Sequence, residues 1–323
     1  MLTGITYDLK NDYLQRGFTP EQVAEFDCEE TIDAIQTALE EDGHTVDKIG
    51  CLENLTERLR AGDRWDLVFN IAEGMYGIGR EAQVPALLDA YRIPYTFSKT
   101  ETLAVCLDKG MTNAVLRGMN VPVSDFAVVR EQADVKNVHM PFPLFAKPIA
   151  EGTSKGITAK SVIHNRLEME TQCAALLSTF RQPVLIETYL PGREFTVGIL
   201  GSGKQARVLG VMEVLLNEHA EQSGYTYDNK QQYQDCVRYK VTDNPAVAKV
   251  ALSGWKALNC LDAGRVDVRL DAGGSPRLME INPLAGLNPR YSDLCILCRR
   301  TGFPYNKLIQ SIARSALRRN GLA

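Results

Sequence analysis

The stretch whose reading decides the fold is Gly264–Asn282: GRVDVRL (264–270), the turn DAGGSP (271–276) and RLMEIN (277–282). In the first run, alternation places Arg265, Asp267 and Arg269 on one face of a strand and Val266 and Val268 on the other. The Gly/Ser/Pro-rich run between the two segments predicts a hairpin. In the returning strand Glu280 and Asn282 share a face. Pairing then brings Asp267, Glu280 and Asn282 together, with Arg265 beside them. Two carboxylates and one amide oxygen form a hard-oxygen set suited to Mg²⁺, which keeps waters and borrows substrate phosphates. Arg265 would face the charge that develops during chemistry. The plain alternative is a surface salt-bridge ladder, and an Asn after a Glu on an otherwise apolar strand argues against it.

Upstream lie two further stretches of the same kind. VLIETYLPGREFT (184–196) places Glu187 at the end of an apolar strand and Glu194 at the start of the next, after a Pro-Gly turn. Carboxylates at strand ends accept hydrogen bonds from an amino group or ribose hydroxyls, though alone they read as a solvated hairpin. The strand Phe142–Pro148 ends on Lys147 and runs into Glu151–Gly156, EGTSKG. Its glycines permit close backbone approach to a ligand. Small hydroxyl side chains and free N–H groups suit phosphate oxygens, and Lys147 supplies a point charge for them. Alone, such a turn is more often a plain hairpin. It is not a Walker A loop, which needs GK[ST] opening a helix. A returning strand is expected over Ile157–Val162, with further strands at Pro183–Thr188, Glu194–Leu200 and Ala206–Val214. Helices are expected at Asp108–Met119, Arg166–Leu177 and Tyr305–Arg318. This part of the chain reads as α+β with antiparallel hairpins.

The first hundred residues read differently. Strands are expected at Thr3–Asp8, His44–Ile49, Trp65–Ile71 and Ile93–Thr96, and helices around Glu29–Leu39, Leu55–Leu59 and Glu81–Tyr91. In the first helix Ile32, Ile35 and Leu39 form one face. Strands alternating with helices imply an open, parallel α/β sheet. No G-x-G-x-x-G follows the first strand, which speaks against a dinucleotide-dependent dehydrogenase.

The whole chain has 323 residues, room for two or three domains at roughly 150 residues each. With 45% hydrophobic and 24% charged residues it is globular rather than disordered or fibrous. A net charge of −4 argues against general nucleic-acid or membrane-surface binding, both of which want basic excess. No run approaches the roughly 20 apolar residues of a membrane span. The start, MLTGITYDLK, lacks the pattern of a secretion signal. A cytoplasmic protein with reduced thiols is therefore expected for its eight cysteines. Cys295-x-x-Cys298 has no second CxxC and no histidine near it in sequence, so buried free thiols are expected there rather than zinc.

Six segments in this order resemble the ATP-grasp superfamily, and within it the D-alanine–D-alanine ligases. They are VFNIAEGMYGIGREAQVPALLDAYRIPYTFS (68–98), LDKGMTNAVLRGMNVPV (107–123), FAKPIAEGTSKGI (145–157), VLIETYLPGREFTVGILG (184–201), GRVDVRLDAGG (264–274) and LMEINPLAGLNP (278–289). The resemblance implies an ATP-grasp fold behind the open parallel α/β domain: an N-terminal α/β substrate domain over 1–102, a central α+β subdomain over 103–184 and a C-terminal α+β subdomain over 185–323. It implies an ATP-dependent carboxylate–amine ligase that works through an acylphosphate with Mg²⁺, or Mn²⁺ in its place, acts on small amino-acid substrates and assembles as a homodimer. Lys109 and Lys147 match ATP-contacting lysines, Glu187 and Glu194 the adenine-side and ribose acids, and Glu151, Thr153 and Ser154 the loop over the phosphates. Lys230 matches a phosphate-reaching lysine of a mobile loop, expected as a lid over Leu215–Arg238. Asp267, Glu280 and Asn282 match the metal ligands. Arg265 and the backbone N–H of Gly286 match the pair that stabilises the tetrahedral oxyanion.

The departures fall on the amino-acid side. Where the family has a histidine opening HGxxGEDG, this chain has Glu73, in EGMYGIGR (73–80). The first strand runs into Tyr7-Asp8-Leu9-Lys10 rather than a Gly-Gly turn, and Glu25 in VAEFDCEET (23–31) is the candidate amine-binding glutamate. In the mobile loop Tyr225, Tyr227 and Lys230 fit; Gln231 stands where a substrate-side tyrosine is expected, and Tyr233 replaces it by a small shift. Near the end, LAGLNPRYSD (284–293) offers Arg290 as a bidentate partner for an acceptor carboxylate. The resemblance implies a ligase like the D-alanine–D-alanine ligases. The alternatives are preserved chemistry that joins another amino-acid pair, which these departures point to, and a nucleotide-binding regulator without ligase activity.

Overall fold

The computed structural model describes residues 1–216 and 237–322. Its first layer is a three-stranded parallel sheet in which β1 (Leu2–Thr6) lies between β2 (Thr45–Gly50) and β3 (Leu67–Asn70). Helices α1 (Lys10–Gln15), α2 (Glu29–Glu40), α3 (Leu52–Ala61) and α4 (Gln83–Tyr91) complete it. Ile32, Ile35 and Leu39 of α2 are buried as the spacing predicts. All four residues of β3 are buried, as befits a parallel strand covered on both faces.

Helices α5 (Thr100–Leu107) and α6 (Lys109–Gly118) lead into a four-stranded sheet. Its strands are β4 (Phe126–Val129), β5 (Leu144–Pro148), β6 (Val162–Ile163) and β7 (Val184–Thr188), in spatial order β4-β7-β5-β6. Helix α7 (Arg166–Phe180) covers it. A five-stranded antiparallel sheet follows, built from β8 (Glu194–Leu200), β9 (Arg207–Leu216), β10 (Val237–Thr242), β11 (Ala263–Leu270) and β12 (Pro276–Asn282), in the order β10-β9-β8-β11-β12. Helix α8 (Pro245–Ala257) packs on it, and α9 (Asp293–Arg300) and α10 (Tyr305–Arg319) close the chain. The expected α/β start and α+β remainder are both present.

Several expectations need adjustment. The returning strand expected over Ile157–Val162 is reduced to β6; before it, Thr158 Oγ1 accepts from the Lys160 N–H and caps a short 3₁₀ turn, which diverts the backbone from pairing. The strand expected at Ile93–Thr96 is one bridge, Tyr95 to Val68, beside Pro94, which has no N–H to donate. The division expected at 184/185 falls at the start of β7, which pairs with β4 and β5, so the central sheet runs on to Thr188. Helices α1, α5, α8 and α9 and strands β4 and β10 lie outside the elements expected from sequence. Leu308, Ile309, Ile312 and Ala313 of α10 share one core with Ile5, Ile35, Leu67 and Phe69 of the first layer. The end of the chain thus packs on its beginning.

The decisive hairpin forms as read. Arg265 pairs with Asn282, Val266 with Ile281 and Asp267 with Glu280, and the register then slips so that Val268 faces Leu278. The slip is a bulge at Met279, which lets Leu278 and Ile281 both enter the core while Glu280 and Asn282 face outward. Gly264 sits against this hairpin: a Cβ there would lie 2.5 Å from the Trp255 ring and 2.6 Å from the Asn282 carbonyl oxygen. Gly264→Ala is therefore expected to destabilise the protein by about 1–3 kcal/mol through overpacking. Chemical denaturation checks this, and an unchanged midpoint would show that the hairpin yields without cost.

Candidate active site

The four-stranded and five-stranded sheets face each other across a cleft, and the side chains singled out in sequence meet there. Asp108 Oδ1 accepts from the Met111 N–H and caps α6, which fixes Lys109 in the first turn. Lys109 Nζ lies 3.0 Å from Glu280 Oε1 and donates to the Glu151 carbonyl oxygen at 2.7 Å. Lys147, from β5, is 2.7 Å from Glu187 Oε2 on the neighbouring β7. Asn113 of α6 donates to the other oxygen of Glu187 at 2.9 Å. Glu187 pulls the Lys147 ammonium above its ordinary range, against the cost of burial. Phe145 and Tyr189 stack with centroids 6.5 Å apart, and Arg269 lies over Tyr189 and 3.5 Å from Glu194. One wall of the cleft is thus flat and apolar with carboxylates at its edge.

The opposite wall is the hairpin. Asp267 accepts from Thr196 Oγ1 at 2.9 Å and from Asn282 Nδ2 at 3.3 Å. Burial would raise the Glu280 carboxyl, but Lys109, Lys147 and Arg265 outweigh it and hold Glu280 down at about 2. Arg265 bridges Asp267 and Asp293, at 3.1 Å from each. Tyr239 donates to the second oxygen of Asp293 at 2.9 Å. These carboxylates hold the Arg265 guanidinium firmly charged despite burial. Between the walls lies the EGTSKG turn, with Thr153 at φ +50° and Ser154 at φ +58°. Two consecutive non-glycine residues in the left-handed region are strain of the kind stored at functional turns.

A second cavity opens beneath the first and is lined by Lys10, Glu25, Asp27, Glu73, Gly286 and Tyr291, among others. The two share Thr153, Arg265, Asn282 and Asp293. A Cβ on Gly286 would lie 2.9 Å from Ser292 Oγ, so a side chain there would push the serine hydroxyl aside. Burial drives the Glu73 carboxyl well above its usual range, and Glu81 and Glu25 add to the effect.

Of the residues expected from sequence, Lys109, Lys147, Glu151, Thr153, Ser154, Glu187, Glu194, Arg265, Asp267, Glu280 and Asn282 line the first cleft, and Glu25, Glu73 and Gly286 line the second cavity. Arg290 does not join them: it is three-quarters exposed and ion-paired with Glu30. Its neighbour Tyr291 takes the place on the cavity wall. Lys230 and Tyr233, with Tyr225, Tyr227, Gln231 and most of the expected lid over Leu215–Arg238, lie outside the described residues. Sequence reasoning passed over Asp293, the second anchor of Arg265, and Lys155 and Arg80. Lys155 stands inside the EGTSKG turn and pairs there with Glu151, but its contact with Glu25, like the partners of Asp293 and Arg80, comes from a distant segment. Cys295 and Cys298 are buried free thiols, as expected. Among the described residues no three His, Cys, Asp or Glu side chains gather as a metal cluster, and no helix is long and apolar enough to cross a membrane.

Comparisons with known proteins show the family and the fold. The family model described as D-ala D-ala ligase C-terminus matches residues 115–314, more than half of the chain. A D-alanine–D-alanine ligase of Bordetella avium is 32% identical, with 82% of each chain covered. An uncharacterized protein, y4sG, of Sinorhizobium fredii is 31% identical over 89% of this chain and 87% of its own. The fold matches a crystal structure of a D-alanine–D-alanine ligase from Bacillus anthracis complexed with ATP, with TM-score 0.75, 20% identity and 99% of both chains covered.

Burial pushes Asp27 up to about 7 and Glu81 up to about 8. Both keep a proton in the folded state that the unfolded chain releases near pH 4. The unfolded chain therefore binds fewer protons between those limits, and stability falls as pH rises from about 4.5 to about 8. Asp27→Asn is expected to flatten this slope in thermal melts taken across that range. An equal slope in the variant would remove Asp27 as its cause.

Proposed function

The chain belongs to the D-alanine–D-alanine ligase family, and from that premise we propose that its two adjoining cavities hold ATP and a pair of amino-acid substrates. It is an ATP-dependent ligase that forms a C–N bond. The single observation that carries the site assignment is the placement of Arg265, tethered by Asp267 and Asp293, at the seam common to both cavities. In this reading the first substrate's carboxylate oxygen attacks the γ-phosphorus of ATP, giving an acylphosphate and ADP. The second substrate's free amine attacks the acyl carbon, and collapse of the tetrahedral intermediate releases inorganic phosphate and one proton. Arg265 and the Gly286 N–H supply donors fixed in advance for the developing oxyanion. A nucleotide-binding regulator would have no use for an arginine held at that seam.

The adenine is assigned to the Phe145/Tyr189 side, with Glu187 and Glu194 at the amino and ribose edges and Lys109, Lys147, Thr153 and Ser154 at the phosphates. The charge balance supports a metal. The cleft is lined by Lys109, Lys147, Lys155, Arg265 and Arg269 against Glu151, Glu187, Glu194, Asp267, Glu280 and Asp293. A set in which carboxylates outnumber cations receives a polyanionic triphosphate only with added positive charge. Asp267, Glu280 and Asn282 are hard oxygen donors on one face of one hairpin, a set that fits Mg²⁺ or Mn²⁺. Bound there, the ion would neutralise phosphate charge.

Glu73 is the ground for proposing an altered amino-acid specificity. A buried carboxyl with raised proton affinity, facing a cavity, ionises when an ammonium group settles beside it. The second reading, D-alanine dipeptide synthesis itself, rests on the named relatives. Family likeness is also the ground for proposing a homodimer, which sedimentation of the purified protein tests.

Mg²⁺-dependent ADP release, measured over an amino-acid panel with mass spectrometry of the product, decides between the readings. Best turnover with D-alanine alone would sink the altered specificity. Arg265→Ala is expected to cut turnover on the order of 10²–10³-fold with the preferred pair. Full activity in that variant would remove Arg265 from the oxyanion site. The KM for the ammonium-bearing substrate is expected to fall as pH rises and Glu73 ionises more readily. Glu73→Gln should raise that KM and erase its pH dependence; a parallel pH profile in the variant would show that Glu73 does not meet the ammonium.

A further inference from the structure

A buried charge cluster joins the first layer to the EGTSKG turn, and the reaction scheme above makes no use of it. Arg80 Nη2 lies 2.9 Å from Glu25 Oε2, and Lys155 Nζ lies 3.4 Å from the same oxygen. Lys155 also reaches Glu151 Oε2 at 2.6 Å. Arg80 Nη1 donates to the Ala150 carbonyl oxygen at 2.9 Å, and Gln182 donates to Glu151 Oε1 at 2.6 Å. The side chains of Arg80, Glu25 and Lys155 are each 10% exposed or less. A Cβ on Gly152 would collide with Glu25 Oε1, so a side chain there would have to displace the Glu25 carboxylate from its place.

Burying four ionic groups is expensive, and the cost is offset only if each finds its partner. Here two carboxylates meet two cations drawn from separate stretches of chain. Burial works to raise the Glu25 carboxyl, but Arg80 and Lys155 outweigh it and hold Glu25 below the ordinary range. Glu25 is therefore already satisfied by two protein cations, unlike Glu73 in the same cavity. A carboxylate so engaged is poorly placed to be the main receptor for a substrate ammonium. It is well placed to hold a loop.

We propose that Arg80 is a positioning residue for the nucleotide phosphates, acting through Glu25 and Lys155 to dock the Glu151–Gly156 turn onto the first layer. The proposal rests on the assignment of the first cleft to ATP. Arg80 fixes Glu25 and anchors the turn's entry at Ala150. Glu25 in turn holds Lys155 and lies against Gly152. The turn between these anchors contains Thr153 and Ser154 in their strained left-handed conformation. Removing the anchors lets that strain relax, and the N–H groups lose their fixed aim. The nucleotide side then weakens although Arg80 lines neither cavity's reacting centre.

The test is calorimetric titration of the full-length protein with a non-hydrolysable ATP analogue and Mg²⁺, with no amino acid present. Arg80→Met is expected to weaken analogue binding roughly tenfold, and Arg80→Lys to restore part of the loss. Hydrogen exchange over residues 151–156 should quicken in Arg80→Met and slow again in Arg80→Lys. Glu25→Gln, which keeps shape and removes charge, provides a second variant if Arg80→Met fails to fold. It too should weaken the analogue, whereas a glutamate serving only the substrate amine would leave analogue affinity unchanged. Wild-type affinity and wild-type exchange in a folded variant would overturn the proposal and leave the ligase assignment standing. Failure of the wild-type protein to bind the analogue would overturn both.

Discussion

Everything in the site depends on the register of one antiparallel hairpin. Asp267 faces Glu280 and Arg265 faces Asn282 across β11 and β12. A slip of one residue would turn every side chain of one strand to the opposite face. The register is held from below: Val266, Val268, Leu278 and Ile281 are all buried in the core covered by α8. The same apolar contacts that stabilise the sheet therefore fix the spacing of the charges above it. The bulge at Met279 reconciles two demands that a regular strand cannot meet, since Leu278 and Ile281 are three apart and both point inward. The core and the site are two faces of one constraint.

The charges then restrain one another. Arg265 is held from two sides, Lys147 and Glu187 form a closed pair, and Lys109 spans from α6 to Glu280. Charges removed from water this way are stable only as complete sets. In the proposed ATP site, an arriving triphosphate would compete with carboxylates for lysines that are already engaged. The exchange replaces one anionic partner with another and leaves no cation bare. Much of the reorganisation is thereby completed on folding, which is the physical content of electrostatic preorganisation.

How far the sequence could be read follows the distance over which each constraint acts. The hairpin was legible because alternation, a turn and the convergent acids lie within 19 residues of one another. The apolar stripe of α2 and the α/β start were legible for the same local reason. What escaped depends on partners far along the chain. Asp293 acquires meaning only once α9 is seen packed against β8 and β9, beside Arg265. The link between Arg80 and Lys155 exists only through Glu25, and α10 shows its core face only when folded back on α2. Arg290 shows the converse error: its charge suggested a carboxylate site, but the backbone turns it out to solvent and Glu30.

The distribution of unlike groups between the two cavities carries the last step. In the first cleft each lysine and arginine named above has a carboxylate partner, and in the proposed reading it is these cations that meet the nucleotide phosphates. In the second, the described residues leave Asp27 and Glu73 protonated more readily than free acids, beside a Glu25 that is already neutralised. A site that stores its protons this way is poised to give them up to an incoming cation, because ammonium binding and carboxyl ionisation are linked equilibria. The two halves thus follow different logics. In the proposed reading the nucleotide half is prepaired and resists change, while the amino-acid half is undercompensated and takes its charge state from the substrate. On that reading, selectivity for that substrate rests on Glu73, where this chain departs from the motif it resembles, and the chemistry rests on the hairpin, where it does not.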